Sequence, residues 1–128
     1  MEPGIKNRLE RRVTESMLAV NAGSGNVRVF ATPMMIALVE ACAARSVEGA
    51  LQPGQTTVGT EVAITHQAAT PLDGVVCVQT ELVEISPNGK QLTFRAEVFD
   101  QAGLIGQGIH KRAVVWKEPF EQKALERK

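Results

Sequence analysis

Apolar residues change their period once along this chain, and that change predicts its architecture. From residue 33 to about residue 51, Met35, Ile36, Leu38, Val39, Cys42, Ala43 and Val47 recur nearly all round a helical wheel. Thr32-Pro33 opens the segment with a good N-cap and a residue pre-organised for the first helical position. Gln52-Pro53-Gly54 ends it. A helix so widely apolar is expected to bury more than one side. Beyond it the period falls to two. Residues 56–68, 74–86, 91–100 and 104–116, rich in Val, Thr and Ile, read as four strands. The breaks fall at Pro71 to Gly74, at Pro87-Asn88-Gly89 and at Gln101-Ala102-Gly103, and Asn88-Gly89 is a hairpin signal. Residues 12–20 alternate weakly and are assigned to a first strand, followed by a flexible stretch at 21–26 (NAGSGN). The charged tail from residue 117 is expected to be mobile or loosely helical.

The resulting order, β–α–β–β–β–β, predicts an α+β roll. An antiparallel sheet wraps one long central helix because each must bury its apolar face against the other. The chain length suits a single domain over 1–128, with its core at 11–116. One copy leaves sheet edges and part of the helix uncovered, which favours a homodimer or a dimer of dimers.

Composition removes several functions. Acids and bases balance at 14 each and aromatics are 4% of residues, so neither a phosphate-gripping surface nor a base-stacking platform is expected, and nucleic acid is not a partner. No apolar stretch follows the basic residues at the N-terminus and none is long enough to cross a membrane, so the expectation is a cytoplasmic protein with no membrane partner. Cys42 and Cys77 lie in apolar runs without metal spacing and read as buried thiols. No spacing suits a metal, and no nucleophile elbow, phosphate loop or dinucleotide fingerprint is present.

Three residues carry candidate chemistry. Glu40 is the one charged residue between Ala31 and Ala44. Inside an apolar helix it needs a partner, water or a raised pKa, conditions that also suit a base; a salt bridge to a neighbour, or a place at a solvated edge, is the competing reading. His66 is placed in phase with Val58, Val62 and Ile64, pointing at the helix. A satisfied core histidine is the bland alternative to a proton-accepting imidazole. Thr32 is explained by capping alone, yet a helix start also offers positive dipole to an oxygen that becomes negative. Further on, His110 and Arg112 share a strand face with Gly106 and Gly108, where missing side chains admit a close backbone or ligand. Gly59 would allow a similar approach.

Three blocks together resemble a known family. They are Val29-Phe30-Ala31-Thr32-Pro33 with the following helix, Gly59-Thr60 with Ile64-Thr65-His66-Gln67-Ala68-Ala69-Thr70-Pro71, and Gly106-Gln107-Gly108-Ile109-His110-Lys111-Arg112-Ala113-Val114. In order and spacing they are similar to hotdog thioesterases of the fluoroacetyl-CoA thioesterase type. The resemblance implies a hotdog fold and hydrolysis of a small acyl-CoA at a dimer interface, without metal or cofactor. It implies Thr32, Glu40 and His66 as the catalytic set, with Gly59 and Arg112 shaping the acyl pocket. Residues 21–29 contain no Phe, Tyr or Trp, unlike the aromatic-rich lid of the fluoroacetyl-selective enzyme, so fluoroacetyl selectivity is not carried over. The acyl group and the choice of Thr32 or water as nucleophile stay open. Thr32 and Glu40 lie about 12 Å apart along a regular helix and roughly 80° around it. Either His66 bridges them or two chains assemble the set. A non-catalytic acyl-CoA or small-ligand binder and an enoyl-CoA hydratase on the same fold are the competing functions.

Overall fold

A computed structural model describes residues 1–127. The chain runs through β1 (Lys6–Arg12), a 3₁₀ turn (Glu15–Met17) and the one-turn helix α1 (Ala19–Ala22). The long helix α2 (Thr32–Val47) follows, extended by a 3₁₀ turn at Glu48–Ala50. Four strands come next, β2 (Gln55–His66), β3 (Val75–Ile85), β4 (Gln91–Asp100) and β5 (Gly103–Trp116), and then helix α3 (Lys117–Leu125). The five strands form one antiparallel sheet in the order β1-β3-β4-β5-β2, curled around α2. This is the hotdog fold.

The central strands obey the alternation rule. Val76, Val78, Thr80 and Leu82 of β3 and Leu92, Phe94, Ala96 and Val98 of β4 are buried, while residues between them are half-buried or exposed. Their inner faces meet Met35, Val39, Cys42, Ala43 and Val47 of α2. Each fully buried Val, Leu or Phe here contributes about 1.5–3 kcal/mol relative to exposure. At the β3–β4 hairpin, Gly89 takes a positive φ of 74° and the Asn88 side chain accepts the Lys90 amide at 2.9 Å.

Three expectations from the pattern are corrected. The first strand lies at Lys6–Arg12, not at 12–20. It is a sheet-edge strand, so only Asn7 and Leu9 among its middle residues turn inward and the rest stay charged, which masks the strand in a hydropathy pattern. The weakly alternating segment is buried at Val13, Met17, Leu18 and Ala19, but as turns closed by a bridge from Leu18 to Phe30. Helix α2 buries one stripe, not several sides. Ile36 and Leu38 between the buried positions stay half-exposed, because a five-stranded sheet curls around only part of the rod. The charged tail takes the helical alternative, as α3 from Lys117 to Leu125, and buries none of its residues.

The third correction concerns β2. A register shift falls between Gly59 and Glu61, against Arg112 and Lys111 of β5. That bulge inserts one residue and reverses the side-chain phase. Thr57 and Gly59 face inward before it, and Val62, Ile64 and His66 after it, opposite His110, Gly108 and Gly106. Val58 is therefore out of phase with His66. No helix among the described residues is long and apolar enough to cross a membrane.

Candidate active site

Thr32 is the first residue of α2, not its N-cap. Ala31 holds the capping position in extended conformation and no side chain caps the helix. A threonine one position further on leaves its hydroxyl free to point away from the helix. It meets His66 Nδ1 at 2.8 Å, at the end of β2. The ring of Phe30 stands edge-on to the imidazole at 6.0 Å between centroids. His66 Nε2 is buried and has no hydrogen-bond partner among the described residues. Burial lowers the His66 pKa below its ordinary value, partly opposed by the Ala68 backbone. The imidazole is thus neutral at pH 7 and able to accept a proton. A cleft of about 300 Å³ opens over the pair, lined by Ser24, Gly25, Val27, Phe30 and Gln67 among others.

A second cluster lies about two turns further along α2, at Glu40. Glu40 Oε2 is 3.4 Å from Arg112 Nη1, and its side chain is 41% exposed against 8% for Arg112. Arg112 also donates from Nε to Thr57 Oγ1 and from Nη2 to the Thr57 carbonyl, each at 2.9 Å. Burial lowers its pKa, with Glu40 opposing. Gly59 pairs with Arg112 across the ladder, and a Cβ there would overlap Glu40 Oε2 and reach 3.4 Å from His110 Cε1. That position admits only glycine while the carboxylate keeps its place. Gly106 serves the other end similarly, since a Cβ would lie 2.5 Å from the Thr65 carbonyl and 3.0 Å from Met35 Sδ.

The structure therefore joins Thr32 to His66, and Glu40 to Gly59 and Arg112. Within the chain Glu40 and His66 share no hydrogen bond, and the bridge through His66 does not form: Nδ1 meets Thr32, Arg112 meets the carboxylate, and His66 Nε2 reaches neither. Thr57 escaped sequence reasoning, since its place beside Arg112 depends on a cross-strand register no local pattern encodes. Cys42 and Cys77 are both free thiols. Among the described residues no group of three or more His, Cys, Asp or Glu stands close enough to hold a metal.

Both histidines have lowered pKa values, His110 mainly by burial with Arg112 adding and Glu61 and Glu40 opposing. The unfolded chain therefore binds their protons first as pH falls. Stability present above about pH 6.5 declines below it, until the folded-state values are passed. Urea midpoints at pH 7.5 and 5.5 should show this decline; it should shrink when His110 is replaced by Gln.

The model of the family described as fluoroacetyl-CoA-specific thioesterase matches residues 13–118. The fluoroacetyl-CoA thioesterase of Streptantibioticus cattleyicolor is 37% identical over 99 residues, covering 77% of this chain and 70% of that protein. The solved structure of a fluoroacetyl-CoA thioesterase superposes with a TM-score of 0.92 at 30% identity, covering 100% of this chain and 98% of the other. A Thermus thermophilus member of the thioesterase superfamily shares the fold, with a TM-score of 0.88 at 24% identity over 98% of this chain and 91% of its own. The chain belongs to the fluoroacetyl-CoA-specific thioesterase family.

Proposed function

We propose that this protein hydrolyses the thioester of a small acyl-CoA. The observation that carries this reading is the Thr32 hydroxyl, 2.8 Å from a half-buried neutral imidazole at the mouth of a cleft. His66 takes a proton through Nδ1 from Thr32 or from a water in its place. The freed oxygen attacks the thioester carbonyl, whose oxygen becomes negative near the start of α2, where the helix dipole is positive. The carbon–sulfur bond then breaks, and the imidazolium returns its proton to the departing thiolate as free CoA. If Thr32 is the nucleophile, a water activated in the same way releases the acyl group. Residues Ser24, Gly25 and Val27 over the cleft are small and exposed. No aromatic stands among these three, so fluoroacetyl selectivity is not part of the proposal. Purified protein should release free thiol from a panel of short acyl-CoA esters. Saturable binding without thiol release would mean a binding module, and loss of enoyl absorbance without thiol would mean a hydratase.

The active unit in this reading is a homodimer formed through β2. That strand is a sheet edge, and Thr60 to Ala63 are exposed along it, an open template for a second copy. If two β2 strands pair antiparallel about a two-fold between Val62 and Ala63, His66 lies opposite the partner's Gly59, and hence near the partner's Glu40. The orphan His66 Nε2 would then donate to that carboxylate, fixing the tautomer that leaves Nδ1 free to accept from Thr32.

Arg112 has a different role here from pocket lining. It is buried beneath Glu40 and bonded to Thr57, so it acts by aiming the carboxylate. Arg112→Ala should therefore lower kcat more than it raises KM. It should also destabilise the fold by roughly 2–3 kcal/mol, the scale of orphaned buried hydrogen-bonding groups. A raised KM with unchanged kcat would return Arg112 to the substrate.

A further inference from the structure

His110 is the most enclosed polar side chain beside the site, with no exposed surface. Its ring stacks on Phe94 at 6.3 Å between centroids. Nδ1 lies 2.8 Å from the Glu61 carbonyl and Nε2 lies 3.2 Å from Arg112 Nη1. A carbonyl only accepts and a guanidinium only donates. Nδ1 therefore carries the proton, Nε2 is the acceptor, and the ring is neutral by geometry alone. Both partners matter. Glu61 is the residue at which β2 resumes pairing after its bulge, so its carbonyl sits where the ladder is irregular and needs a side-chain donor. Arg112 is the guanidinium that reaches Glu40.

We propose that His110 is a positioning residue that ties the β2 bulge to Arg112 and so holds the Glu40 carboxylate over Gly59. The bulge turns Gly59 and His66 to the same face. The acceptor nitrogen leaves Arg112 Nη1 a fixed direction, because Nε and Nη2 are already bound to Thr57. One imidazole thus sets the strand irregularity and the ion pair together. The groups it meets are Arg112 on its own strand, the Glu61 carbonyl from β2 and Phe94 from β4, and through Arg112 it is linked to Glu40 of α2 and Thr57 of β2. This inference rests on Glu40 taking part in thioester hydrolysis.

Replacing His110 with three residues separates its two contacts. His110→Phe keeps the stacked ring and removes both hydrogen bonds. His110→Asn keeps a donor near the Nδ1 position only, and His110→Gln keeps an acceptor near the Nε2 position only. With a short acyl-CoA that the wild type hydrolyses, His110→Phe should lower kcat by on the order of 10²-fold, the scale of an ångström's misplacement of a reacting group, with KM little changed. His110→Gln and His110→Asn should each recover only part of that loss, because each keeps one of the two contacts. In an Arg112→Ala background, His110→Phe should cost nothing further, as expected for residues acting in one chain of contacts. Circular dichroism melts of each variant separate misfolding from misplacement. Unchanged kcat in a folded His110→Phe protein, or additive losses with Arg112→Ala, would overturn the proposal. Full turnover in Glu40→Gln would instead overturn the reading of the site on which it rests.

Discussion

Replacing His66 with Ala is expected to lower kcat for acyl-CoA hydrolysis by at least ~10²-fold, the usual contribution of a positioned general base. The reason is geometric. Nδ1 is the nitrogen within 2.8 Å of the Thr32 hydroxyl, and burial keeps that imidazole neutral. Removing it leaves the hydroxyl or water with no base in reach, while the cleft and helix start still bind the thioester. The fall should therefore lie in kcat, with KM nearly intact. The wild type should lose activity only below the ordinary histidine range near pH 6.5, because a lowered pKa keeps the base free further into acid. Glu40→Gln should also fall steeply. If both variants turn over substrate as the wild type does, neither residue belongs to the chemistry.

Mixing those two inactive proteins is expected to restore activity. In a homodimer whose sites each take His66 from one chain and Glu40 from the other, a mixed dimer of His66→Ala and Glu40→Gln holds one site with both defects. Its second site has none. Random exchange makes half the dimers mixed, so recovery should approach about a quarter of the wild-type rate. Starting from about one per cent or less for each parent, the rise is large and the background low. No recovery, with exchange verified by mass spectrometry, would place the whole set within one chain. The orphan His66 Nε2 and the bare edge of β2 argue for the shared site: a buried N–H with no acceptor costs free energy that a partner's carboxylate would offset.

The helix, the four later strands and their breaks were legible because each has a strong local pattern. Pro33 starts α2, the buried stripe of Met35, Val39, Cys42 and Val47 recurs at helical spacing, and β3 and β4 alternate cleanly. The first strand was not legible, since Lys6–Arg12 is an edge strand whose charges are solvated. The candidate residues were visible as anomalies: an acid in an apolar helix, a histidine on an inward strand face. Their connections were not visible. Nothing local indicates that Arg112, 72 residues away, takes Glu40, or that Thr32 forgoes the cap to bond His66 across 34 residues.

Local chemistry alone determined the long helix, the four later strands and which side chains are unusual, because propensity, period and capping act over a few neighbours. Tertiary structure decided the pairing of those side chains. The bulge after Gly59 reverses the phase of β2, and the register of β2 against β5 sets Gly59 opposite Arg112. Both depend on strands brought together from distant parts of the chain, so no short window of sequence contains them.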